Sequence, residues 1–161
     1  MIKFFITLLF LIFTISSSFS NELKLTKNPD AICNNGEQAT FTIKKAKSKK
    51  WAIILPGGGV ARNADEYKSR SNGKKSPELK PHYFGQAIEK DVEDKNYNMV
   101  FIPYCSSDLY QGNHFNIVDG KEIPFKGRVI VNDVIDQLDE QLKKADEIMF
   151  LGYSAGAIGI G

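Results

Sequence analysis

A serine lies between two glycines near the end of the chain, in the segment Gly152-Tyr153-Ser154-Ala155-Gly156. The segment matches G-x-S-x-G, the pattern of a strained turn between a strand and a helix that exposes a nucleophilic serine. Bulky residues two positions before or after the serine would collide in such a turn, so Gly152 and Gly156 suit it. The pattern favours Ser154 as the nucleophile of an acyl transfer, with the N–H of Ala155 beside its hydroxyl. An ordinary glycine-rich turn, used for packing or phosphate binding, is the alternative.

A second glycine-rich segment, Pro56-Gly57-Gly58-Gly59, follows an earlier apolar stretch of the chain. Attack on an ester carbonyl places negative charge on an oxygen, and fixed N–H donors must point at that oxygen. Glycines let backbone N–H groups approach a substrate without a Cβ atom in the way, and the HGGG loop of lipases works from an equivalent position. Together with the later serine segment, this loop predicts an oxyanion hole. A flexible turn is the alternative.

Two other kinds of chemistry fit the sequence poorly. Residues 57–59 match neither GxGxxG nor GxxxxGK[ST], so a nucleotide-binding sheet is disfavoured. Cys33 and Cys105 lack the spacing of a zinc site, and His82 and His114 do not complete one. These residues therefore favour neither a nucleotide cofactor nor a zinc site.

Three apolar segments have the character of parallel strands that are buried on both faces: residues 51–55, 98–104 and 147–151. A helix is predicted over residues 129–144, because its apolar residues recur at helical spacing. The members of this apolar stripe are Val131, Val134, Ile135, Leu138 and Leu142. Its charged residues, among them Asp133, are expected to face away. Strands that alternate with helices predict an α/β fold with a parallel sheet.

The remaining segments carry weaker signals. Residues 40–43 alternate polar and apolar side chains as a half-buried strand does, and residues 81–92 are predicted to form a helix that begins at a proline. We expect a loose lead over residues 21–30, a surface loop over residues 60–80 and a further loop over residues 105–124.

The first 20 residues have the layout of a secretory signal peptide. Lys3 precedes an apolar stretch over residues 4–15, and Ser18 and Ser20 occupy positions −3 and −1 of a cleavage site. The apolar stretch is shorter than the roughly 20 residues that a membrane span needs, so an uncleaved anchor is the less favoured alternative. We expect a secreted or periplasmic protein with no stable membrane span after cleavage.

The charge balance limits the classes of binding partner, and the cysteine content bears on whether the chain forms a disulfide. The chain has 21 Lys and Arg residues against 19 Asp and Glu residues, so its charge balance suggests neither nucleic acid nor a strongly acidic partner. The basic segment over residues 44–50 has no interleaved aromatic residues, and a solvated hairpin tip is favoured over a polyanion-binding patch. Cys33 and Cys105 favour a disulfide in an oxidising compartment, with two free thiols as the alternative.

Four segments together resemble the family of pectin acetylesterases and Notum lipid deacylases. They are residues 33–36, residues 51–58, residues 98–108 and residues 152–156, and the resemblance covers residues 33–161. The third segment, NMVFIPYCSSD, is the most specific. The resemblance implies a doubly wound, mostly parallel sheet of the α/β-hydrolase type. Residues 21–161 are then the N-terminal part of a single α/β-hydrolase domain, truncated after the nucleophile elbow.

The resemblance also implies a reaction and a site. The reaction is hydrolysis of an O-acyl or O-acetyl ester, with an acyl-enzyme on Ser154 and with neither a metal nor a cofactor. The N–H groups of Gly58, Gly59 and Ala155 form the oxyanion hole, and Cys33 pairs with Cys105. The family often has Gly-Gly-Trp where this chain has Val60 after its glycines. We therefore expect an acylated small molecule, glycan or lipidated substrate without further definition.

The expected partners of the serine are not found in their usual place. In α/β-hydrolases the acid and the histidine of the triad follow the nucleophile in the chain, and only seven residues follow Ser154. Asp108 and His114 precede it, so we interpret them as loop residues. We expect residues 21–161 to be an esterase fragment that is inactive alone. The alternative is a non-catalytic secreted binding module that kept the same sheet.

Overall fold

The computed structural model describes residues 21–71 and 83–161, so the predicted signal peptide lies outside the described residues. The elements in chain order are β1 (Asn21–Leu25), β2 (Thr40–Lys44), β3 (Lys50–Leu55), α1 (Ala64–Ser71), α2 (Tyr83–Asp94), β4 (Asn98–Phe101), β5 (His114–Val118), β6 (Lys121–Phe125), α3 (Gly127–Leu142), β7 (Glu147–Gly152) and α4 (Ala155–Gly159). None of the helices in these described ranges is long and apolar enough to cross a membrane.

The main sheet has five strands in the order β1-β2-β4-β3-β7. The strand β3 pairs parallel with both β4 and β7, which confirms the predicted parallel arrangement of the three apolar segments. The strand β2 pairs antiparallel with both β1 and β4. The sheet is therefore mixed, and the expectation of a mostly parallel sheet is wrong for this part of the molecule, which is of the α/β class.

Both faces of the interior strand β3 are covered. Ile53 and Leu55 face a core that also holds Val134 and Leu138 of α3. The alternate residues Ala52 and Ile54 face a second core, which includes Val92 of α2. Alternation of side chains along a strand explains why an uninterrupted apolar run suits this position. The helices α2 and α3 thus lie on opposite faces of the sheet.

The helix α3 buries nearly the stripe that its periodicity predicts. Val134 and Leu138 are buried, as is Ile130, while Val131, Ile135 and Leu142 are partly buried against the same core. The prediction that Asp133 faces away from the protein is wrong. Its carboxylate accepts hydrogen bonds from the backbone N–H groups of Lys27 (2.8 Å) and Asn28 (2.9 Å), which lie after β1. Burial of this charge is offset by those bonds.

Three segments predicted to be irregular contain regular structure. The polar lead contains the strand β1, which pairs with β2 over its whole length. The predicted surface loop contains α1, whose first turn is capped because the Asn63 side chain accepts the N–H of Glu66. The predicted loop over residues 105–124 contains the hairpin of β5 and β6. Its turn holds Asp119 and Gly120 with positive φ angles, the conformation that an Asp-Gly pair favours in a hairpin.

Three further expectations need correction. The basic segment after β2 is not a hairpin tip, because β2 pairs with β4 and not with β3. The strand β4 ends at Phe101 rather than at residue 104. The strand β7 was expected to be buried, yet it is at the edge of the described sheet, and Ile148 and Phe150 are 43% and 46% exposed. The predicted helix over residues 81–92 corresponds to α2, and its first two positions lie outside the described residues.

Candidate active site

Two loops leave the sheet side by side. The strands β3 and β7 are parallel neighbours, and their register pairs Leu55 with Gly152 at their carboxyl ends. The glycine loop, which we define as residues 56–59, therefore begins beside the turn that carries Ser154. The carboxyl edge of a parallel sheet is where ligands bind in open α/β proteins.

Ser154 occupies the turn between β7 and α4 with φ 53° and ψ −120°. A positive φ is uncommon for a residue with a Cβ atom, and such strain persists only where the surrounding structure holds it. Here Tyr153 donates its N–H to the Leu55 carbonyl (3.4 Å), and Gly156 donates its N–H to the Tyr153 carbonyl (3.0 Å). The turn leaves Ser154 exposed at the edge of the sheet.

Both glycines that flank the serine lie against backbone. A Cβ atom on Gly156 would overlap the carbonyl oxygen of Leu55. A Cβ atom on Gly152 would come within 2.7 Å of the Ala157 nitrogen. Backbone cannot rotate away as a flexible side chain can, so these positions exclude any larger residue.

Replacing Gly156 with alanine should therefore destabilise the protein by about 3 kcal/mol, the upper part of the usual range for overpacking. The free energy of unfolding from urea titration measures it. Gly120→Ala is the matched control, because a Cβ atom there meets nothing within 4 Å and its cost is limited to backbone strain of about 1 kcal/mol. Equal losses for both variants would contradict the steric account.

The glycine loop is packed as closely as the turn. A Cβ atom on Gly57 would lie 2.7 Å from the Cβ atom of Ser154, and one on Gly58 would overlap the ring of Tyr104. Gly59 has φ +74°, and a Cβ atom there would lie 2.6 Å from a guanidinium nitrogen of Arg70. The loop is thus in contact with the serine on one side and with Tyr104 and Arg70 on the other.

The segment after β4 supports the glycine loop from outside. Ser107 accepts the N–H of Ala61 on its carbonyl (2.9 Å), just beyond the loop. The Tyr104 hydroxyl donates to the Gly59 carbonyl at 2.7 Å and accepts the N–H of Leu109 at 2.6 Å. Burial raises the pKa of Tyr104 to about 12, so this hydroxyl keeps its proton at neutral pH.

Asp108 organises the same segment through its carboxylate. One oxygen accepts from the Ser106 hydroxyl (2.6 Å) and the Tyr110 N–H (3.0 Å). The other accepts the N–H groups of Gly112 (3.2 Å) and Gly127 (2.7 Å). Gly127 is the first residue of α3, where N–H groups have no partner within the helix. Asp108 therefore connects the segment after β4 to the amino end of α3, and its role is structural.

The Asp108→Asn variant should lose about 2–3 kcal/mol of stability, because an amide group cannot accept all four hydrogen bonds and turns N–H donors toward N–H donors. Thermal or urea unfolding measures the loss. Asp119→Asn is a suitable control, since Asp119 is in the exposed hairpin turn and pairs only with Lys68 among the contacts of the described chain. A loss no larger than that of the control would contradict the proposed network.

Cys33 and Cys105 form a disulfide with a Cα–Cα distance of 5.0 Å. It joins the turn at residues 33–36 to the segment after β4. Asn34 strengthens this junction, because its N–H bonds to the Cys105 carbonyl at 2.9 Å and its side-chain amide donates to the carbonyls of Ser106 and Pro124. The disulfide is therefore adjacent to the residues that support the glycine loop.

His114 is not brought to the serine. It begins β5, and its ring stacks on Phe125 at 5.6 Å and contacts the Asn116 amide at 3.3 Å. Within residues 21–71 and 83–161, no hydrogen bond joins the Ser154 hydroxyl to a base, and no cluster of three or more His, Cys, Asp or Glu residues could hold a metal. His82 lies outside the described residues.

The predicted site residues include neither Tyr104 nor Arg70. Tyr104 is within NMVFIPYCSSD, the most specific segment of the resemblance, and this was a usable signal for it. Arg70 is on α1, and the capping pattern of Asn63 and Glu66 could have predicted that helix. Tyr104 and Gly59 are 45 residues apart in the chain. No local sequence pattern can predict a contact between residues so far apart.

Comparison with known proteins shows which family the chain matches. The model of the pectinacetylesterase family matches residues 15–160. Palmitoleoyl-protein carboxylesterase notum1a of Danio rerio is 32% identical over 153 residues, which cover 88% of this chain and 30% of that protein. Palmitoleoyl-protein carboxylesterase NOTUM of Mus musculus is 32% identical over 149 residues, which cover 86% of this chain and 29% of that protein.

A third relative differs in its name. The inactive palmitoleoyl-protein carboxylesterase notum1b of Danio rerio is 31% identical over 102 residues, which cover 57% of this chain and 73% of that protein. The chain spans about 30% of the length of the first two relatives. The match of the family model over residues 15–160, with these relatives beside it, shows that the chain belongs to the pectinacetylesterase family.

Proposed function

We propose that the protein containing this chain is a secreted serine carboxylesterase that forms an acyl-enzyme on Ser154. The observation that carries the proposal is the position of Ser154, exposed on a turn with φ 53° and in contact with the glycine loop. A strained, exposed serine beside a run of backbone N–H groups suits attack on an ester carbonyl. Family membership and the names of the relatives support the same class of reaction.

In this proposal the Ser154 Oγ attacks the carbonyl carbon of the ester, and a general base takes the hydroxyl proton. The N–H groups of Gly58, Gly59 and Ala155 stabilise the oxygen that becomes negative. The carbon–oxygen bond to the alcohol then breaks and the alcohol leaves with a proton, which forms the acyl-enzyme. Water attacks this ester in turn and releases the acid and free Ser154.

The base and its acidic partner would come from outside the residues described. Three points support this part of the proposal. The histidine that is described, His114, has other partners, and the usual order places both triad partners after the nucleophile. The chain also spans only about 30% of the first relatives. We therefore propose that residues 21–161 belong to the N-terminal part of one α/β-hydrolase domain with a doubly wound sheet.

A non-catalytic binding module is not favoured, although one relative is named inactive. Ser154 holds a positive φ angle, and such strain is of order 1–3 kcal/mol. A module that only binds has no need to keep a serine in this conformation next to three glycines.

The substrate class follows from chemistry and from relatives. We propose an acylated small molecule, glycan or lipidated protein, since the relatives are named for a palmitoleoyl-protein ester and the family for pectin acetyl esters. The disulfide between Cys33 and Cys105 suits an oxidising, extracytoplasmic compartment.

The test is labelling of the native polypeptide that carries this chain with a fluorophosphonate, followed by mass spectrometry. We expect one adduct, on Ser154. We also expect that the rates of hydrolysis of nitrophenyl esters of increasing acyl length will identify the preferred acyl group. Labelling should disappear when the protein is first unfolded in urea. Hydrolysis without an adduct on Ser154 would refute the assignment of the nucleophile, and absence of both would refute the reaction class.

A further inference from the structure

Tyr104 contacts both glycines that are proposed to supply the oxyanion hole from the glycine loop. Its ring lies against the Cα atom of Gly58, where a Cβ atom would come within 2.9 Å of the ring carbon Cε1. Its hydroxyl donates to the carbonyl of Gly59 at 2.7 Å. One side chain therefore restrains the backbone on both sides of the peptide bond that joins these residues.

Tyr104 is itself held rigidly. Its hydroxyl accepts the N–H of Leu109 at 2.6 Å, and its ring packs on that of Tyr110 at 4.6 Å between centroids. Tyr110 is buried and donates its hydroxyl to the Ile102 carbonyl at 3.0 Å. With its hydroxyl oxygen already accepting from Leu109, Tyr104 has its single proton directed at Gly59.

We propose that Tyr104 is a positioning residue that holds the N–H groups of Gly58 and Gly59 toward the oxyanion. The inference rests on the proposed esterase function. Gly59 has φ +74°, and a glycine pair without side chains has many other backbone conformations available. The hydroxyl and the ring together select the one in which the loop contacts Ser154.

The consequence is specific to the transition state. A loop whose N–H groups are already oriented needs no reorganisation when charge develops on the oxygen, and this preorganisation is what makes an oxyanion hole effective. The neutral ester in the ground state gains little from it. Loss of the Tyr104 hydroxyl should therefore lower kcat and leave KM nearly unchanged.

The experiment compares Tyr104→Phe with the wild type in the native polypeptide, using the nitrophenyl ester that it hydrolyses best. Tyr97→Phe is the matched control, since it also removes a hydroxyl that donates a hydrogen bond, to Glu147 at 2.6 Å, but at the opposite end of the sheet. We expect kcat to fall about tenfold for Tyr104→Phe, less than the 10²–10³-fold that follows loss of a donor itself. The KM and the Tm should stay close to those of Tyr97→Phe.

A boronic acid inhibitor, whose trigonal boron becomes tetrahedral when the Ser154 Oγ adds to it, gives the second readout. Its affinity should fall about tenfold for Tyr104→Phe, in parallel with kcat, because transition-state analogues report the same stabilisation. If Tyr104→Phe does not fold, 4-fluorophenylalanine at position 104 keeps an atom in place of the hydroxyl without a proton to donate, and the same losses are expected.

Three results would overturn the inference: an unchanged kcat, an equal loss for Tyr97→Phe, or a loss confined to KM. Failure of the proposed function is distinguishable, because the wild type would then hydrolyse the ester no faster than its Ser154→Ala variant. An active wild type with a normal Tyr104→Phe variant contradicts only the positioning role of Tyr104.

Discussion

Replacing Ser154 with alanine in the native polypeptide should lower kcat for ester hydrolysis by about 10⁶-fold, the size seen when a serine protease loses its nucleophile. The variant keeps the glycine loop and the Ala155 N–H, which together retain about 10³–10⁴-fold over water in such enzymes. The strained turn should survive, because alanine has the same Cβ atom at φ 53°. Steady-state kinetics with a nitrophenyl ester, and the free energy of unfolding, measure the two quantities.

Ser69→Ala is the control for this substitution. Ser69 is an exposed serine on α1 whose hydroxyl donates to the Glu66 carbonyl at 2.8 Å, and its loss should leave kcat within about twofold, as most surface substitutions do. If Ser154→Ala retains more than a few per cent of the wild-type kcat, another residue is the nucleophile and the acyl-enzyme assignment is wrong.

The second large effect concerns stability. The double variant Cys33→Ser/Cys105→Ser should lower the free energy of unfolding by about 4 kcal/mol, because the disulfide closes a loop with a sequence separation of 72 and the chain-entropy model assigns about that value to a loop of this length. The structure near the glycine loop should be the part most affected, because Asn34 donates hydrogen bonds to the carbonyls of Cys105 and Ser106 beside the disulfide.

Urea unfolding of the oxidised wild type and of the double variant measures this difference. Wild-type protein in a strong reductant serves as the control, and its midpoint should match that of the double variant. A difference below about 1 kcal/mol would mean that the unfolded chain is restrained in other ways. Two titratable thiols in unreduced protein would show instead that the disulfide does not form.

Local patterns were most informative where one element's own periodicity is the physical cause of its structure. The apolar runs at β3 and β4 predict strands with both faces buried, and the stripe of α3 predicts a helix whose residues Val134 and Leu138 enter the core. The same reasoning was wrong for β7, whose equally apolar sequence lies at an edge of the described sheet. An apolar sequence indicates that a strand favours burial. Whether the strand is buried depends on the elements that pack beside it in the folded protein.

The errors at Asp133 and in the loop that holds β5 and β6 have different causes. The helical pattern of α3 predicts that Asp133 faces the solvent. Its carboxylate instead accepts two backbone N–H groups from the segment after β1, which is more than 100 residues earlier in the chain. The Asp-Gly turn of the hairpin was a local signal that polar composition obscured.

The sequence alone determined the candidate nucleophile and its setting, because a turn at Ser154 with glycines two residues away on either side is specified within five consecutive residues. It also determined the glycine loop and the three parallel strands. Only the tertiary structure decided what supports that loop. Tyr104 meets Gly59 across 45 residues and Asp108 meets Gly127 across 19, and such partners are brought together by the packing of β3, β4 and α3. Side-chain hydrogen bonds depend on atoms being placed within about 3 Å, and that placement is a property of the folded chain.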